Sequence, residues 1–231
     1  MAFKLPPALL ALSPGTLVDG AGADAFLRQA KQQIEWGLRG ILLREPHLGD
    51  TALLALARSL KAELDPTQDA WLGVHDRLHI ALAAGADGAH LGFRSLDVAC
   101  ARGVLGPDLC LGISTHQGDA PAKWSGADYV FHSPVFSTPS KEGLLEPIGP
   151  EQLLAFVESL DPVGGPRVFA LGGIQPQNCG QVLGQTGRPR PYGVAVRGAL
   201  FESDSAHSNL VELLAQTRSH GVQDNQTDAL G

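Results

Sequence analysis

The chain has 231 residues, of which 44% are hydrophobic and 18% charged, so it carries enough apolar material for a sizeable core and is not a disordered chain. A formal net charge of -7 and the lack of a Lys or Arg cluster exclude a surface for duplex nucleic acid, which needs clustered positive charge. The three cysteines are widely spaced, and no apolar run approaches the roughly 20 residues that span a bilayer, so we expect a cytoplasmic protein with neither disulfides nor a membrane partner.

Eight short apolar runs follow one another along the chain, and each predicts a β-strand. They are rich in Leu, Val and Ile and nearly continuous, as expected for strands that are covered on both faces. In chain order the runs are ALLALS (8–13), GILLRE (40–45), AWLGVHD (70–76), GAHLG (88–92), CLGIST (110–115), YVFHSPV (129–135), RVFALGG (167–173) and YGVAVRG (192–198). The intervals between them leave room for crossover helices, which indicates parallel strands.

Helical spacing of apolar residues fills these intervals. It is clearest at 23–37, 49–65, 151–160 and 209–221. Ser95 and Asn209 are candidate helix caps. Eight strand–helix units without a linker predict the α/β class and a single-domain (β/α)8 TIM barrel over residues 1–221, with an open doubly wound sheet as the alternative. The polar end, 222–231, predicts a flexible C-terminal tail.

Glycines follow the last two predicted strands, where a barrel commonly binds phosphate. Gly172 and Gly173 end the seventh run, and Arg197 and Gly198 end the eighth. Backbone N–H groups at glycines approach an anion without an intervening Cβ, so this group of residues predicts a phosphate-binding site. The alternative is that the paired glycines only form a tight turn.

The segment HSPVFSTPSKEG (132–143), after the sixth strand, combines small hydroxyl groups with one cation. If this loop overhangs the same rim, Thr138, Ser140 and Lys141 supply hydrogen-bond donors and positive charge to a phosphorylated ligand. A lysine in a polar loop is otherwise a solvated surface group. Its hydroxyl neighbours favour the binding interpretation here.

Two further strand ends carry candidates for acid–base or metal chemistry. His75 and Asp76 end the third strand, and the Asp76 carboxylate either ligates Mg²⁺ or caps the helix that begins near Arg77. His132, in the sixth strand, either faces the site as a base or packs as a core histidine. The residues alone leave both pairs of alternatives open.

Five segments together resemble the signature segments of the thiamine phosphate synthase and TenI superfamily. They are GADGAHLG (85–92), LGISTH (111–116), ADYVFHSPVFSTPSK (127–141), ALGGI (170–174) and GVAVRGAL (193–200), in the family's order and spacing. The resemblance covers about residues 8–215. It implies a (β/α)8 barrel that joins a pyrimidine pyrophosphate to a thiazole phosphate and releases pyrophosphate, helped by Mg²⁺ and basic residues.

The resemblance also implies roles for individual residues. Arg44 matches the arginine of the family's Q-x-R-x-K, and Asp76 matches its first Mg²⁺ aspartate. Ser114 matches a serine near the pyrimidine, and Gly173 falls where the thiazole phosphate is held. The family's T-x-T-K loop corresponds to Thr138, Ser140 and Lys141.

Departures from the family pattern lie mainly on the pyrophosphate and metal side. Leu42 and Pro46 stand where the family has a glutamine and a lysine, and His75 stands where it has an asparagine. The second metal carboxylate is replaced by Ser95, which cannot supply that charge, and the serine of the last phosphate loop is replaced by Arg197. These losses argue for an impaired synthase.

We therefore expect a TenI-like protein that binds thiazole phosphate and moves a proton, as thiazole tautomerases do. The expected base is His132 or His75, with Lys141 and Arg197 gripping the phosphate. The alternatives are a working thiamine-phosphate synthase (diphosphorylase) and a non-catalytic, phosphate-binding regulatory barrel. Mg²⁺ is doubtful, and no organic cofactor is expected. The expected partner is a small phosphorylated substrate, and a homodimer is the candidate assembly because barrels of this kind often pair.

Overall fold

The computed structural model describes residues 4–138, 145–184 and 189–224, in which eight parallel strands close into a barrel. Each strand pairs with the next in sequence, and β1 closes the barrel against β8. The strands are β1 Leu9–Leu12, β2 Gly40–Leu43, β3 Trp71–His75, β4 Gly88–Leu91, β5 Cys110–Thr115, β6 Tyr129–His132, β7 Arg167–Leu171 and β8 Gly193–Val196. The predicted single-domain (β/α)8 barrel and all eight predicted strands are confirmed.

Helices surround the barrel, and the four that apolar spacing predicted are all present. The α-helices of the described residues are α1 Gly20–Glu35, α2 Asp50–Leu64, α3 Leu78–Ala84, α4 Val98–Leu105, α5 Gly149–Glu158, α6 Pro176–Leu183, α7 Gly198–Phe201 and α8 Ala206–Asp224. Between β5 and β6 a short 3₁₀ helix, Pro121–Lys123, takes the place of an α-helix. Helix α8 passes the predicted boundary at 221, and the rest of the predicted tail lies outside the described residues.

Alternation along the strands divides the core into two layers. Outward side chains pack against the helices. The inward layer fills the barrel with Leu10, Leu12, Leu42, Trp71, Cys110, Tyr129, Phe131, Phe169 and Ala195. Its largest rings lie over glycines: a Cβ added at Gly73 would sit 2.2 Å from the Trp71 ring, and one added at Gly112 would sit 2.1 Å from the Tyr129 ring. The barrel interior is therefore closed by packing, and open space remains at the carboxyl ends of the strands.

The predicted caps are wrong at both positions. Helix α4 is capped by Asp97, whose side chain accepts a hydrogen bond from the Cys100 N–H, because a carboxylate adjoining the helix is better placed than Ser95 two residues earlier. Ser95 Oγ instead accepts a hydrogen bond from the Gly92 N–H at 2.6 Å. Asn209 lies inside α8 and donates to the Ala199 carbonyl oxygen at 2.9 Å. No helix of the described ranges is long and apolar enough to cross a membrane.

Candidate active site

A cavity of about 1060 Å³ opens at the carboxyl ends of the strands, where the predicted site residues converge. The inward side chains at the ends of the strands, together with the loops that follow them, form its wall. The predicted residues that line it are Arg44, His75, Asp76, Ser114, Thr138, Gly172, Gly173, Arg197 and Gly198. Ser140 and Lys141 lie outside the described residues. Sequence position at a strand end was thus a good guide to this rim.

One side of the cavity carries arginines, after β2 and β4. Arg44 and Arg94 both line it. Arg77 lines it too, but its guanidinium is held by the Pro46 carbonyl oxygen at 3.1 Å and by Asp50 at 3.1 Å, so it shapes the loops. This side can receive an anionic group of a ligand.

Glu45 is buried beside the cavity, and its carboxylate is engaged by backbone groups of a neighbouring loop. Its two oxygens accept hydrogen bonds from the Gly15 N–H at 2.8 Å and the Leu17 N–H at 2.9 Å. Glu45 is 3% exposed. A carboxylate engaged in this way holds the loop between β1 and α1 in place.

Asp76 is the predicted metal ligand, and it occupies a strained backbone position. Its φ of 67° lies in the left-handed region, which non-glycine residues adopt at a cost and often near functional sites. The alternative role as a cap is wrong, because α3 begins at Leu78 with Arg77 at the cap position and has no side-chain capping bond. Within the described residues, no group of three His, Cys, Asp or Glu side chains has a metal-binding arrangement.

The residues around Asp76 do not fit a protein-held Mg²⁺ site. The family resemblance aligns the second metal carboxylate with Ser95, whose hydroxyl accepts a hydrogen bond from the Gly92 N–H. Glu45 is occupied by the loop before α1. Mg²⁺ is often bound by one or two carboxylates together with substrate phosphates, so Asp76 alone provides at most one ligand for an ion carried by pyrophosphate.

Two histidines stand next to each other on this side of the barrel. His75 and His90 face inward from β3 and β4, with ring centroids 5.7 Å apart. Burial and the nearby Arg44 guanidinium lower the pKa of His75 to about 4, while Asp76 opposes that shift. Burial, with His75 and Arg44, holds the pKa of His90 well below its usual 6.5. Both imidazoles are therefore neutral at pH 7.

His132 does not reach the cavity. Its neighbour Phe131 points into the barrel, so His132 points outward, where its Nδ1 lies 2.8 Å from Thr115 Oγ1. The imidazole also stacks on Phe156 of α5, with centroids 3.9 Å apart and an interplanar angle of 4°. Burial lowers the pKa of His132 to about 4. The core alternative describes its position, and the predicted role as a base does not fit it.

The other side of the cavity is lined by the glycines after β7. Gly172 has φ 103° and Gly173 has φ 65°, conformations that favour glycine. A Cβ on Gly173 would lie 2.5 Å from the Ser137 carbonyl oxygen, so these glycines also let the loop after β6 pack closely. In the described part of the chain no hydrogen bond uses the Gly173 N–H. The glycines can therefore form a tight turn and still provide the predicted phosphate-binding site.

An ion pair adjoins this glycine-lined side. The Arg197 Nε lies 3.1 Å from Glu202 Oε1, and both residues line the cavity. The other carboxylate oxygen of Glu202 would lie 3.1 Å from a Cβ placed on Gly198. The Glu202 carboxylate is therefore already paired with Arg197, the arginine that was predicted to bind phosphate.

Sequence reasoning gave little weight to His90. Its Nδ1 lies 3.1 Å from the Tyr129 hydroxyl and its Nε2 lies 3.0 Å from Ser114 Oγ. The signal that identifies it is alternation in GAHLG, because Gly88 and His90 share the face that looks into the barrel.

Comparison with known proteins agrees with this geometry. The sequence model described as thiamine monophosphate synthase matches residues 16–200. The chain is 37% identical over 197 residues to a putative thiamine-phosphate synthase from Geobacter sulfurreducens, covering 84% of this chain and 88% of that protein. It is 35% identical over 195 residues to a thiamine-phosphate synthase from Synechocystis, covering 84% of this chain but only 54% of that longer protein.

A solved structure supports the same assignment. The chain is similar to thiamine phosphate pyrophosphorylase from Pyrococcus furiosus, with a TM-score of 0.74 and 26% identity, and the match covers 91% of this chain and 95% of that one. With the matched family segments at the rim of a confirmed barrel, the chain belongs to the thiamine monophosphate synthase and TenI family.

Proposed function

We propose that this chain is a thiamine-phosphate synthase, an enzyme that joins a pyrimidine pyrophosphate to a thiazole phosphate and releases pyrophosphate. The observation that carries the proposal is a single cavity with two sides suited to anions. Arg44 and Arg94 lie on one side, and Gly173 and Arg197 lie on the other. Its volume of about 1060 Å³ is at the upper end for ligand pockets, which suits two small ligands. The names of the Geobacter and Synechocystis relatives support the same activity.

In the proposed reaction the carbon–oxygen bond to pyrophosphate breaks, and both of its electrons leave with the pyrophosphate. The thiazole nitrogen supplies the electron pair of the new carbon–nitrogen bond. Negative charge grows on the leaving group, where Arg44 and Arg94 stabilise it, and positive charge grows on the pyrimidine beside Ser114. Holding both reactants in one cavity also reduces the entropic cost of their encounter.

A direct assay tests this proposal. Purified protein with both substrates, assayed with and without Mg²⁺, is expected to form thiamine phosphate, detected by chromatography. Arg44→Ala is expected to lower kcat/KM by about 100-fold, because it removes a charge aimed at the leaving group. The control is Arg58→Ala, since Arg58 lies on α2 with its guanidinium on the Ala83 carbonyl oxygen. Lack of turnover in the unmodified protein, or equal losses in both variants, would overturn the proposal.

A thiazole tautomerase is the second candidate, and the observation that favours it is neutral His75 on the cavity wall. A neutral imidazole can accept a proton, yet with a pKa of about 4 it is a weak base, so this candidate ranks second. The discriminating variant is His75→Asn, which restores the residue type of the family pattern. It is expected to abolish conversion of the thiazole carboxylate tautomer if His75 is the base, and to leave synthase turnover in place. Binding of thiazole phosphate without either activity would support the non-catalytic, regulatory alternative.

A further inference from the structure

A chain of three hydrogen-bonded side chains leads from the packed interior of the barrel to the cavity. Tyr129 is fully buried and contacts His90 Nδ1 through its hydroxyl at 3.1 Å. His90, 1% exposed, contacts Ser114 Oγ through Nε2 at 3.0 Å. Ser114 borders the cavity. These three side chains thus connect a buried phenol to a hydroxyl that borders the cavity.

Packing fixes this chain in one arrangement. The His90 ring stacks on Phe131 with centroids 4.1 Å apart and an interplanar angle of 29°. Gly112 is the strand partner of His90 and leaves the space that the Tyr129 ring occupies. Neither ring has room to turn without displacing barrel side chains, so the partners of the two imidazole nitrogens are set by the fold.

The hydrogen-bond partners also assign the tautomer of His90. If Nδ1 carried the proton, it would donate to the Tyr129 oxygen, and the buried phenolic proton would have no acceptor among the described residues. If Nε2 carries the proton, Tyr129 donates to Nδ1, and Nε2–H donates to Ser114 Oγ. Every buried donor then has an acceptor, and this arrangement has the lower free energy.

This tautomer has a consequence for Ser114. A hydroxyl that accepts from Nε2–H directs its own proton elsewhere, and the open direction is the cavity. Ser114 then presents a donor to a bound molecule. With the opposite tautomer, Ser114 would donate to Nε2 and offer the ligand only a lone pair.

We propose that Tyr129 and His90 are positioning residues that hold the Ser114 hydroxyl as a hydrogen-bond donor to a ring nitrogen of the heteroaromatic substrate. The choice of the pyrimidine as that substrate rests on the proposed function, whereas the arrangement of the donors does not. The neutral state of His90 agrees with it, because a protonated imidazole would donate from both nitrogens and leave the Tyr129 proton unpaired. The ligand class is a planar ring with an acceptor nitrogen.

The first test is the tautomer in the ligand-free protein, measured by ¹⁵N NMR of labelled histidine at pH 7. The expected result is a protonated Nε2 and an unprotonated Nδ1 at His90, with a changed tautomer population in Tyr129→Phe. The matched control is Thr115→Val, which removes the hydroxyl from the other buried histidine–hydroxyl pair, at His132. It is expected to leave the His90 signals unchanged. A protonated Nδ1 in the unmodified protein would overturn the proposal even if Tyr129→Phe failed to fold.

The second test is a double-mutant cycle on the Kd of pyrimidine pyrophosphate, measured by calorimetry so that turnover is not required. Ser114→Ala and Tyr129→Phe are each expected to raise Kd by about fivefold, the scale of one hydrogen bond. In the Ser114→Ala background, Tyr129→Phe is expected to have no further effect, because it acts through Ser114. Additive effects of the two substitutions on Kd would overturn the proposal that Tyr129 and His90 act through Ser114. If the effects on Kd are coupled but the protein forms no thiamine phosphate, the positioning role of Tyr129 and His90 is supported and only the proposed synthase function is wrong.

Discussion

At the scale of single residues, alternation along the strands decides which side chains reach the cavity. β6 reads YVFH, and its two large rings, Tyr129 and Phe131, fill the barrel, so His132 points to α5. The same rule in GAHLG turns His90 inward. Arg44 and Ser114 were predictable because they end strands. The contact between Tyr129 and His90 was not, because it joins residues 39 apart through a register that the sequence does not display.

Glu202 is expected to weaken the binding of phosphate esters, because its carboxylate pairs with Arg197 and borders Gly198. Both side chains are partly exposed, so the pair is worth no more than about 1 kcal/mol and a doubly charged phosphate can displace it. Glu202→Gln is expected to tighten the Kd of thiazole phosphate by about threefold, measured by calorimetry at low ionic strength.

The control for this prediction is Asp204→Asn, which makes the same change in net charge at an exposed position outside the cavity lining. It is expected to alter Kd by much less than Glu202→Gln. Equal tightening in the two variants would mean that the effect is one of general charge, and the local role of Glu202 would be wrong.

At the scale of elements, the strands were predictable because they are continuous apolar runs, and the long helices because they are amphipathic. The connection between β5 and β6 shows the limit. It is closed by the short 3₁₀ helix Pro121–Lys123, because Trp124 packs on Phe156 of α5 and covers the barrel there without a full helix. That packing depends on a helix distant in sequence, so the local spacing of apolar residues could not predict it.

Gly173 is expected to be intolerant of any side chain, because it joins the loop after β7 to the loop after β6. With φ 65° and a Cβ position 2.5 Å from the Ser137 carbonyl oxygen, Gly173→Ala combines backbone strain with a clash against backbone. We expect a loss of about 2 kcal/mol in the free energy of unfolding, together with weaker binding of thiazole phosphate. Urea denaturation and calorimetry provide the two measurements.

Gly103→Ala is the matched control. Gly103 lies in α4, and nothing lies within 4 Å of its Cβ position. Alanine in a helix interior is expected to stabilise the protein by about 0.5–1 kcal/mol relative to glycine. If Gly173→Ala behaved like Gly103→Ala, the close packing of the two loops would be refuted.

At the scale of the whole molecule, buried neutral histidines make stability depend on pH. Folding lowers the pKa of His132 from 6.5 to about 4, so between these values the unfolded chain binds a proton that the folded protein does not. The contribution of His132 to the free energy of unfolding is therefore fully present above pH 6.5 and falls by roughly 3 kcal/mol as the pH decreases to 4. Urea denaturation across this range is expected to show a shallower decline in His132→Gln.

His47→Gln serves as the reference for that comparison, because it removes an imidazole from an exposed position. It is expected to retain the full decline. A decline in His132→Gln as steep as in the unmodified protein would show that His132 is not buried as a neutral side chain.

The barrel architecture and much of the rim could be predicted from the sequence, because barrel strands and family segments are local patterns. The charges on the rim could be predicted only in part. Glu45 directly follows Arg44 at a strand end, yet its carboxylate accepts hydrogen bonds from the Gly15 and Leu17 N–H groups. These hydrogen bonds depend on the pairing of β1 with β2, which brings the loop after β1 next to the end of β2.

A crystal structure of the protein with thiamine phosphate, the product of the proposed reaction, would test whether one cavity holds both substrates. We expect the phosphate within hydrogen-bonding distance of the Gly173 N–H and Arg197, and a ring nitrogen of the pyrimidine within hydrogen-bonding distance of Ser114 Oγ. A product bound outside this cavity, or bound in it with the phosphate away from Gly173 and Arg197, would contradict the proposed phosphate-binding site.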